Sequence, residues 1–368
     1  MTGARERPET THHTGTLFFT LNKRIIMHLY VMEQGARICK RGEHLIISKG
    51  ECVLDDVTLD SVESLALFGS VQPTSEVMSA LLANGVEISL LSRGGHFKGR
   101  VVPSVCKNVP LRIKQYDAFR NPEISFEFAK GRIERKLLGG LHVLDSYNYN
   151  AHNDFCFSER DDYLLNLERL RNCHENKDAL RGYEGYGARI YFGAFARCLK
   201  NDIRFPGRAY YPSTDPVNAL LSFGYSFLTR HFESLLESMG MDPAIGFLHE
   251  VSYGRSSLAL DLLEEFRHMF VDRLVLNLFN KRYIVPEDFE PREEEGKSGQ
   301  LYLKSDAVRV FISNYEEFCE SPNKVFEGCK EATWRQVFRR RVECLRRFFM
   351  ENATEESFDW NLLMEECA

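Results

Sequence analysis

The sequence lacks any Cys-x-x-Cys pair, although ten cysteines are scattered along its 368 residues. This distribution argues against a structural zinc site and against the disulfide framework of a small secreted domain. No apolar run approaches the roughly 18 residues of a membrane-spanning helix, and no secretory signal is recognisable near the N-terminus. We therefore expect reduced thiols, no membrane association and a cytoplasmic location.

An overall excess of basic charge is also missing, because the formal net charge is −6 at pH 7. Nucleic-acid binding depends on local patches, however, so the whole-chain charge does not exclude it. Residues 98–136 contain ten Lys or Arg against four Asp or Glu, and a second group of arginines lies between Arg335 and Arg347. The charge pattern alone leaves two alternatives open, a DNA-binding patch and a solvated helix face.

The apolar pattern divides the chain into regions of different character. Residues 1–26 are rich in Thr, Arg and His, and we interpret them as a flexible extension. Residues 27–104 carry short strand-like runs around one helix, residues 105–115 form a linker, and residues 116–368 are helical. The sequence therefore predicts an α+β fold with two domains, a small N-terminal β-rich domain with one helix and a larger all-α C-terminal domain.

The bounds of the predicted elements follow from apolar spacing and end signals. The strands predicted in the first domain are Leu29–Met32, Arg37–Lys40, His44–Ser48, Val62–Phe68, Val86–Leu91 and Gly95–Val102. In the first domain the helix begins near Ser75, a suitable N-cap, and ends at Asn84-Gly85. The helices predicted in the second domain are Arg120–Leu144, Asp161–Asn172, Leu180–Cys198, Pro216–Met239 and Ser257–Phe279.

One predicted helix carries an acidic residue on an apolar face. Glu184 shares that face with Ala188, Tyr191 and Phe192, at spacings of four, seven and eight residues. A carboxylate in this position is costly to bury unless it is paired or binds a metal. The alternative is that Glu184 lies at the start of the helix and favours the positive end of the helix dipole.

Two further segments offer metal-binding side chains. His249 ends the run Gly246-Phe-Leu-His249, while Asp261 and Glu264 are three residues apart and project from one side of a helix. Taken singly, His249 fits a structural histidine and the carboxylates fit a solvated helix face. Taken together, carboxylates and one imidazole suit Mg²⁺ or Mn²⁺, and the imidazole favours Mn²⁺. The spacing does not establish that the chain brings Glu184 beside His249.

Three motifs occur in order along the helical half. They are Glu184-Gly-Tyr-Gly-Ala-Arg-Ile-Tyr-Phe, Asp215-Pro-Val-Asn218-Ala-Leu-Leu-Ser-Phe-Gly-Tyr225, and Gly246-Phe-Leu-His249 followed by Gly254-Arg255 and Asp261-Leu-Leu-Glu264-Glu-Phe-Arg267. In this order they resemble the universal CRISPR adaptation integrase, the nuclease that inserts new spacers. The resemblance extends from about Leu29 to the C-terminal helices and is greatest to the type I-C branch.

The resemblance implies a metal-dependent DNA endonuclease and integrase, in which a DNA 3′-hydroxyl attacks a phosphodiester at the edge of the repeat. It assigns Glu184, His249 and Glu264 as the catalytic metal ligands, and Asp261 as a supporting acidic residue in the metal-carrying helical domain. The alternative is a DNA-binding scaffold of the same fold whose metal site has lapsed. Competent ligands at all three positions favour the enzyme.

The resemblance also implies partners. These are double-stranded DNA with splayed 3′ ends, CRISPR repeat DNA, a second copy of the chain in a homodimer, and a small companion CRISPR adaptation subunit. The resemblance is also compatible with an additional CRISPR end-trimming nuclease as a partner. The candidate DNA-binding residues are Arg112, Lys114, Asn218, Arg255 and Arg267. Cations at such positions supply salt-dependent affinity for phosphates rather than sequence reading.

Overall fold

The structure, a computed structural model, describes residues 16–17, 27–103, 108–151, 159–209, 213–291, 299–323 and 331–351. Two units are distinguished by their internal contacts. One comprises the described residues of Met1–Val105, Tyr283–Glu290 and Tyr302–Glu320, and the other those of Cys106–Arg282, Pro291–Leu301 and Ser321–Ala368. The prediction of an α+β fold is confirmed, since strands dominate the N-terminal region and helices the C-terminal region.

The first unit begins with strands. Their bounds are β1 Thr16–Leu17, β2 Met27–Val31, β3 Arg37–Arg41, β4 His44–Lys49, β5 Cys52–Thr58, β6 Val62–Phe68, β7 Gln72–Pro73, β8 Glu87–Leu91 and β9 Phe97–Val101, with α1 Ser75–Ala83 between β7 and β8. One sheet has the order β1-β2-β6-β8-β9 and the other the order β5-β4-β3-β7. Strand β6 pairs in parallel with both β2 and β8, and its buried run 65–68 is typical of a central parallel strand.

Two predictions for this region differ from the structure. The N-cap of α1 is Thr74, whose hydroxyl accepts a hydrogen bond from the Val77 N–H at 3.4 Å, and Ser75 is the first helical residue. Of the predicted extension 1–26, Thr16–Leu17 pairs with β2, and the rest lies outside the described residues. The N-cap therefore lies one residue before the predicted one, and the predicted helix is present.

The second unit is built mainly from helices. In chain order the remaining elements are α2 Val109–Arg120, α3 Pro122–Ala151, α4 Arg160–Arg171, α5 Lys177–Cys198, α6 Pro216–Ser238, α7 Ser257–Phe266, a π-helical turn Arg267–Asp272, α8 Arg273–Asn280, β10 Phe289–Pro291, β11 Leu301–Leu303, α9 Ser305–Glu320 and α10 Trp334–Glu351. Of these, α9 lies in the first unit, where the Tyr30 hydroxyl donates to Glu316 at 2.6 Å. None of the helices in the described ranges is long and apolar enough to cross a membrane.

Three boundaries in the helical region depart from the predictions. Helix α2 starts at Val109, inside the predicted linker 105–115, because Asn108 caps it and Pro110 fits its first turn. The predicted helix Ser257–Phe279 is interrupted by the π-helical turn. Residues 283–290 and 302–320 belong to the first unit, although the sequence predicts one continuous helical domain.

Helix α3 packs against both α5 and α7, and a small residue permits the first of these contacts. A Cβ atom on Gly187 would lie 2.5 Å from Leu137 Cδ2. A larger residue at Gly187 would therefore require the Leu137 side chain to move. The absence of a side chain at Gly187 lets Leu137 of α3 pack directly on α5, the helix that carries Glu184.

Helix α7 is fixed in the unit by a buried ionic cluster. The Arg341 guanidinium of α10 donates to both oxygens of Glu265, at 2.8 and 3.0 Å, and Arg132 of α3 contacts the same carboxylate. All three side chains are buried. A buried charge is costly unless it is paired, so this cluster restrains the rotation of α7 relative to α3 and α10.

Candidate metal centre

Glu184 lies well inside α5, which begins at Lys177. The alternative that it stabilises the positive end of the helix dipole is therefore wrong, since that effect falls off within the first turn. Its side chain is 25% exposed, which leaves the carboxylate accessible from one side.

Asp261 organises the segment that ends in His249. Its buried carboxylate accepts hydrogen bonds from the backbone N–H groups of Phe247 at 2.6 Å, Leu248 at 3.0 Å and His249 at 2.9 Å. It also contacts His249 Nδ1 at 2.7 Å. A carboxylate oxygen accepts the hydrogen bond, so in the neutral imidazole Nδ1 carries the proton and Nε2 keeps its lone pair. Asp261 therefore orients the imidazole with Nε2 available as a metal ligand, the usual arrangement of such ligands.

Lys136 of α3 brings Glu184 and Glu264 together. Its Nζ contacts Glu184 Oε1 and lies 2.7 Å from Glu264 Oε2. Nothing in the sequence singled out this lysine, which belongs to a basic stretch of ordinary appearance. Two carboxylates from different helices thus converge on a position that holds one cationic nitrogen.

The charge of Glu264 is held by its surroundings. Burial alone would raise the pKa of its carboxyl group, but the positive charges of Arg267 and Lys136, with a smaller contribution from His249, lower that pKa to about 2. Arg267 donates to Glu264 Oε2 at 3.0 Å. Glu264 is therefore ionised at neutral pH and ready to bind a cation.

Within the ranges that the structure describes, no group of three or more His, Cys, Asp and Glu side chains is arranged to hold a metal ion. The position between Glu184 and Glu264 is taken by the Lys136 ammonium, which supplies there the positive charge that a divalent ion would supply. The donors nonetheless fit Mn²⁺ or Mg²⁺, because two carboxylates and an imidazole with a free lone pair suit these ions. An ion at this position requires the ammonium to move aside.

The second motif reaches this region through Tyr225. Its hydroxyl donates to Asp272 Oδ1 at 2.5 Å, and Asp272 Oδ2 contacts His268 Nδ1 at 2.6 Å. The Arg267 guanidinium carbon lies 4.3 Å from the centre of the Tyr225 ring. The buried Tyr225 thus supports Arg267, which contacts Glu264. The π-helical turn supplies Arg267, His268 and Asp272, and the sequence periodicity did not predict it.

Asn218, a candidate DNA contact, is completely buried at the start of α6. Its Oδ1 accepts hydrogen bonds from the Arg208 guanidinium at 2.7 Å and from the Ala209 N–H at 3.0 Å, and its Nδ2 donates to the Gly207 carbonyl at 2.8 Å. These bonds fasten the loop before α6. In this structure the amide is used within the chain, and a direct contact with DNA stays a prediction.

The other candidate DNA contacts have different surroundings. Arg255 is exposed in the loop before α7, close in sequence to His249. On α2, Arg112 donates to the Gly240 carbonyl at 3.3 Å, and Lys114 contacts the Met350 carbonyl. Of these three side chains Arg255 is exposed, whereas Arg112 and Lys114 are half-buried.

Comparison with known proteins gives one consistent result. Residues 29–317 match the family model described as CRISPR associated protein Cas1. The chain is 36% identical over 302 residues to the CRISPR-associated endonuclease Cas1 2 of Rhodospirillum rubrum, which covers 80% of this chain and 87% of that protein. It is also 36% identical over 290 residues to the CRISPR-associated endonuclease Cas1 3 of Thermus thermophilus, covering 78% and 83%.

Solved structures agree with the sequence matches. A casposase bound to an integration product superposes with a TM-score of 0.74 and 25% identity, over 87% of this chain and 89% of that one.

Proposed function

The chain belongs to the CRISPR associated protein Cas1 family and is a CRISPR-associated endonuclease and integrase, and we propose that Glu184, His249 and Glu264 together hold its catalytic divalent ion, Mn²⁺ or Mg²⁺. The observation that carries this proposal is the convergence of the Glu184 and Glu264 carboxylates on one ammonium group. The orientation of His249 by Asp261 supports it, because that orientation leaves Nε2 as a ligand.

The chemistry follows from these donors. When bound, the ion lowers the pKa of an attacking hydroxyl or water and offsets negative charge on phosphorus. Arg267, held between Glu264 and the Tyr225 ring, keeps a second positive charge beside the centre. In strand transfer a DNA 3′-hydroxyl forms a new P–O bond while the bond to the leaving 3′-oxygen breaks. One phosphodiester replaces another, so no external energy source is needed.

Finer assignments belong to the same proposal. The runs Asn108-Val-Pro-Leu-Arg-Ile-Lys-Gln-Tyr116 and Asp261-Leu-Leu-Glu264-Glu-Phe-Arg267 support membership of the type I-C branch, and the three ordered motifs support the family as a whole. They also support a homodimer that works with a small companion CRISPR adaptation subunit, and with an end-trimming CRISPR nuclease where one is present. We propose double-stranded DNA with splayed 3′ ends and CRISPR repeat DNA as the substrates, in line with a structural relative that was solved with an integration product.

The test is strand joining and cleavage of a branched DNA in the presence of Mn²⁺. We expect the wild type to be active, EDTA to abolish that activity, and His249→Ala to lower it by about 100-fold or more, because a metal ligand is lost. DNA binding, measured separately by fluorescence anisotropy, should be retained by the variant. If both proteins bind DNA normally and are equally inactive, the chain is a lapsed DNA-binding scaffold and the proposed metal centre is wrong.

Arg255 allows a second test, directed at DNA binding. We expect Arg255→Ala to weaken DNA binding, and to do so more at low salt than at high salt, because an exposed cation at a phosphate acts through counterion release. The slope of log K against log salt should become less steep by about one unit. Arg197→Ala is the matched control, since Arg197 is also exposed but is paired with Glu159 at 2.7 Å. Equal binding by Arg255→Ala and wild type at every salt concentration would contradict this placement.

A further inference from the structure

Lys136 is buried at the position that the ion of the proposed metal centre would occupy. Its side chain is 2% exposed, and its ammonium contacts Glu184 Oε1 and Glu264 Oε2, the latter at 2.7 Å. The lysine comes from α3, whereas the two carboxylates come from α5 and α7. A single buried ammonium thus joins three helices through two acidic side chains.

The charges explain why a cation stands there. Two carboxylates that converge without a cation repel each other, and a buried ammonium without a carboxylate is equally unfavourable. Lys136 therefore offsets the negative charge of Glu184 and Glu264 in the metal-free protein. A divalent ion on the same oxygens would repel the ammonium strongly, since like charges at such distances interact strongly away from bulk water. The ammonium and the ion cannot occupy this position together.

We infer that Lys136 is an internal counterion that preorganises Glu184 and Glu264 in the metal-free protein and competes with the divalent ion for them. This inference rests on the proposed metal centre. Loading the centre then exchanges one cation for another, and the ammonium is displaced from the two carboxylates. The lysine consequently lowers the affinity for the metal while it stabilises the metal-free fold.

A purely structural lysine would behave differently when it is removed. If Lys136 only anchored α3 to α5 and α7, its loss would let Glu184 and Glu264 separate, and metal binding would weaken or stay unchanged. If Lys136 competes with the ion, its loss removes the cation that the two carboxylates share, although Arg267 still contacts Glu264, and metal binding becomes tighter. The direction of the change in metal affinity therefore separates the two roles.

The experiment compares wild type with Lys136→Met and Lys136→Gln in the full chain. Free Mn²⁺ is followed by electron paramagnetic resonance during titration, and Tm is measured with and without saturating Mn²⁺. We expect both variants to bind Mn²⁺ about 10-fold more tightly or better. We also expect a lower Tm without metal and a larger rise in Tm when Mn²⁺ is added.

Lys130→Met is the matched control, because Lys130 is also on α3 and lies 4.0 Å from Glu127, away from the candidate centre. It should bind Mn²⁺ as wild type does. Two variants are used so that the measurement can still be made on the polar Lys136→Gln if Lys136→Met fails to fold. Unchanged or weaker Mn²⁺ affinity in the folded Lys136 variants overturns the inference. If the wild type binds no Mn²⁺ and His249→Ala is no different, the proposed metal centre itself is wrong, which is a separate result.

Discussion

Glu264→Gln is expected to lower Mn²⁺-dependent strand joining by about 100-fold or more, whereas the neighbouring Glu265→Gln is expected to lower stability and to leave metal binding unchanged. Glu264 is contacted by Lys136 and Arg267 beside the proposed centre, so the amide removes a charged metal ligand. Strand joining of branched DNA and Mn²⁺ affinity are the measurements. DNA binding should change little, because the substitution leaves the exposed cations in place.

For Glu265 the expected effect is on folding. Its carboxylate is bound by Arg341 through two hydrogen bonds and is also contacted by Arg132. Removing one partner of a buried ion pair costs about 3–5 kcal/mol, because the remaining charges are left uncompensated. Urea denaturation should show this loss for Glu265→Gln, while the Mn²⁺ affinity of the folded fraction should match wild type. If Glu265→Gln loses metal binding and Glu264→Gln keeps it, the assignment of the third ligand is reversed.

Asp261→Ala is expected to reduce both stability and metal affinity. The substitution leaves three backbone N–H groups, those of residues 247–249, without their acceptor, and each such buried group costs about 1–3 kcal/mol. We therefore expect a loss of about 3–5 kcal/mol in the free energy of unfolding. The ring of His249 also loses its orienting partner, so Mn²⁺ affinity should fall about 10–100-fold.

Asp178→Ala is the control for Asp261→Ala. Asp178 pairs with Arg181 at 2.8 Å on the surface of α5, and its side chain is 85% exposed. Its removal should change stability by less than about 1 kcal/mol, because exposed ion pairs contribute little. Chemical denaturation and Mn²⁺ titration measure both variants. An Asp261→Ala protein as stable as Asp178→Ala would exclude the positioning role of Asp261.

Periodic apolar patterns predicted most of the helices and strands. They failed at elements whose conformation depends on tertiary contacts. The strand at Val62–Phe68 and the helix beginning at Pro216 have the bounds predicted for them, within one residue. Strand β5, Cys52–Thr58, was not predicted, because Asp55 and Asp56 interrupt its apolar pattern and it lies at the edge of its sheet. The π-helical turn was also missed, since one extra residue in a turn leaves no composition signal.

For the candidate centre too, some residues could be predicted from the sequence and others could not. The ordered motifs predict Glu184, His249 and Glu264 as the metal ligands, and the spacing of Asp261 and Glu264 predicts a shared helix side. Lys136 was not found, because its meaning depends on which helices meet around it. The acidic residues of α7 have separate partners: Asp261 binds the loop before α7, Glu264 binds Lys136, and Glu265 binds Arg341. Lys136 and Arg341 come from distant parts of the chain, and no local pattern reveals them.

The adjacent carboxylates of α7 also fix the alignment of this helix with the helices around it. Glu264 and Glu265 differ by about 100° around the helix axis, and their cationic partners stand on different sides, Lys136 and Arg267 for the first and Arg341 for the second. If α7 slipped by one residue, Glu265 would face the centre while Arg341 met an apolar side chain, and Asp261 would leave its loop. Two buried contacts, that of Asp261 with its loop and that of Glu265 with Arg341, would be lost at once. Insertions or deletions within α7 are therefore far less tolerable than substitutions, and the helix can assemble around the centre in only one alignment.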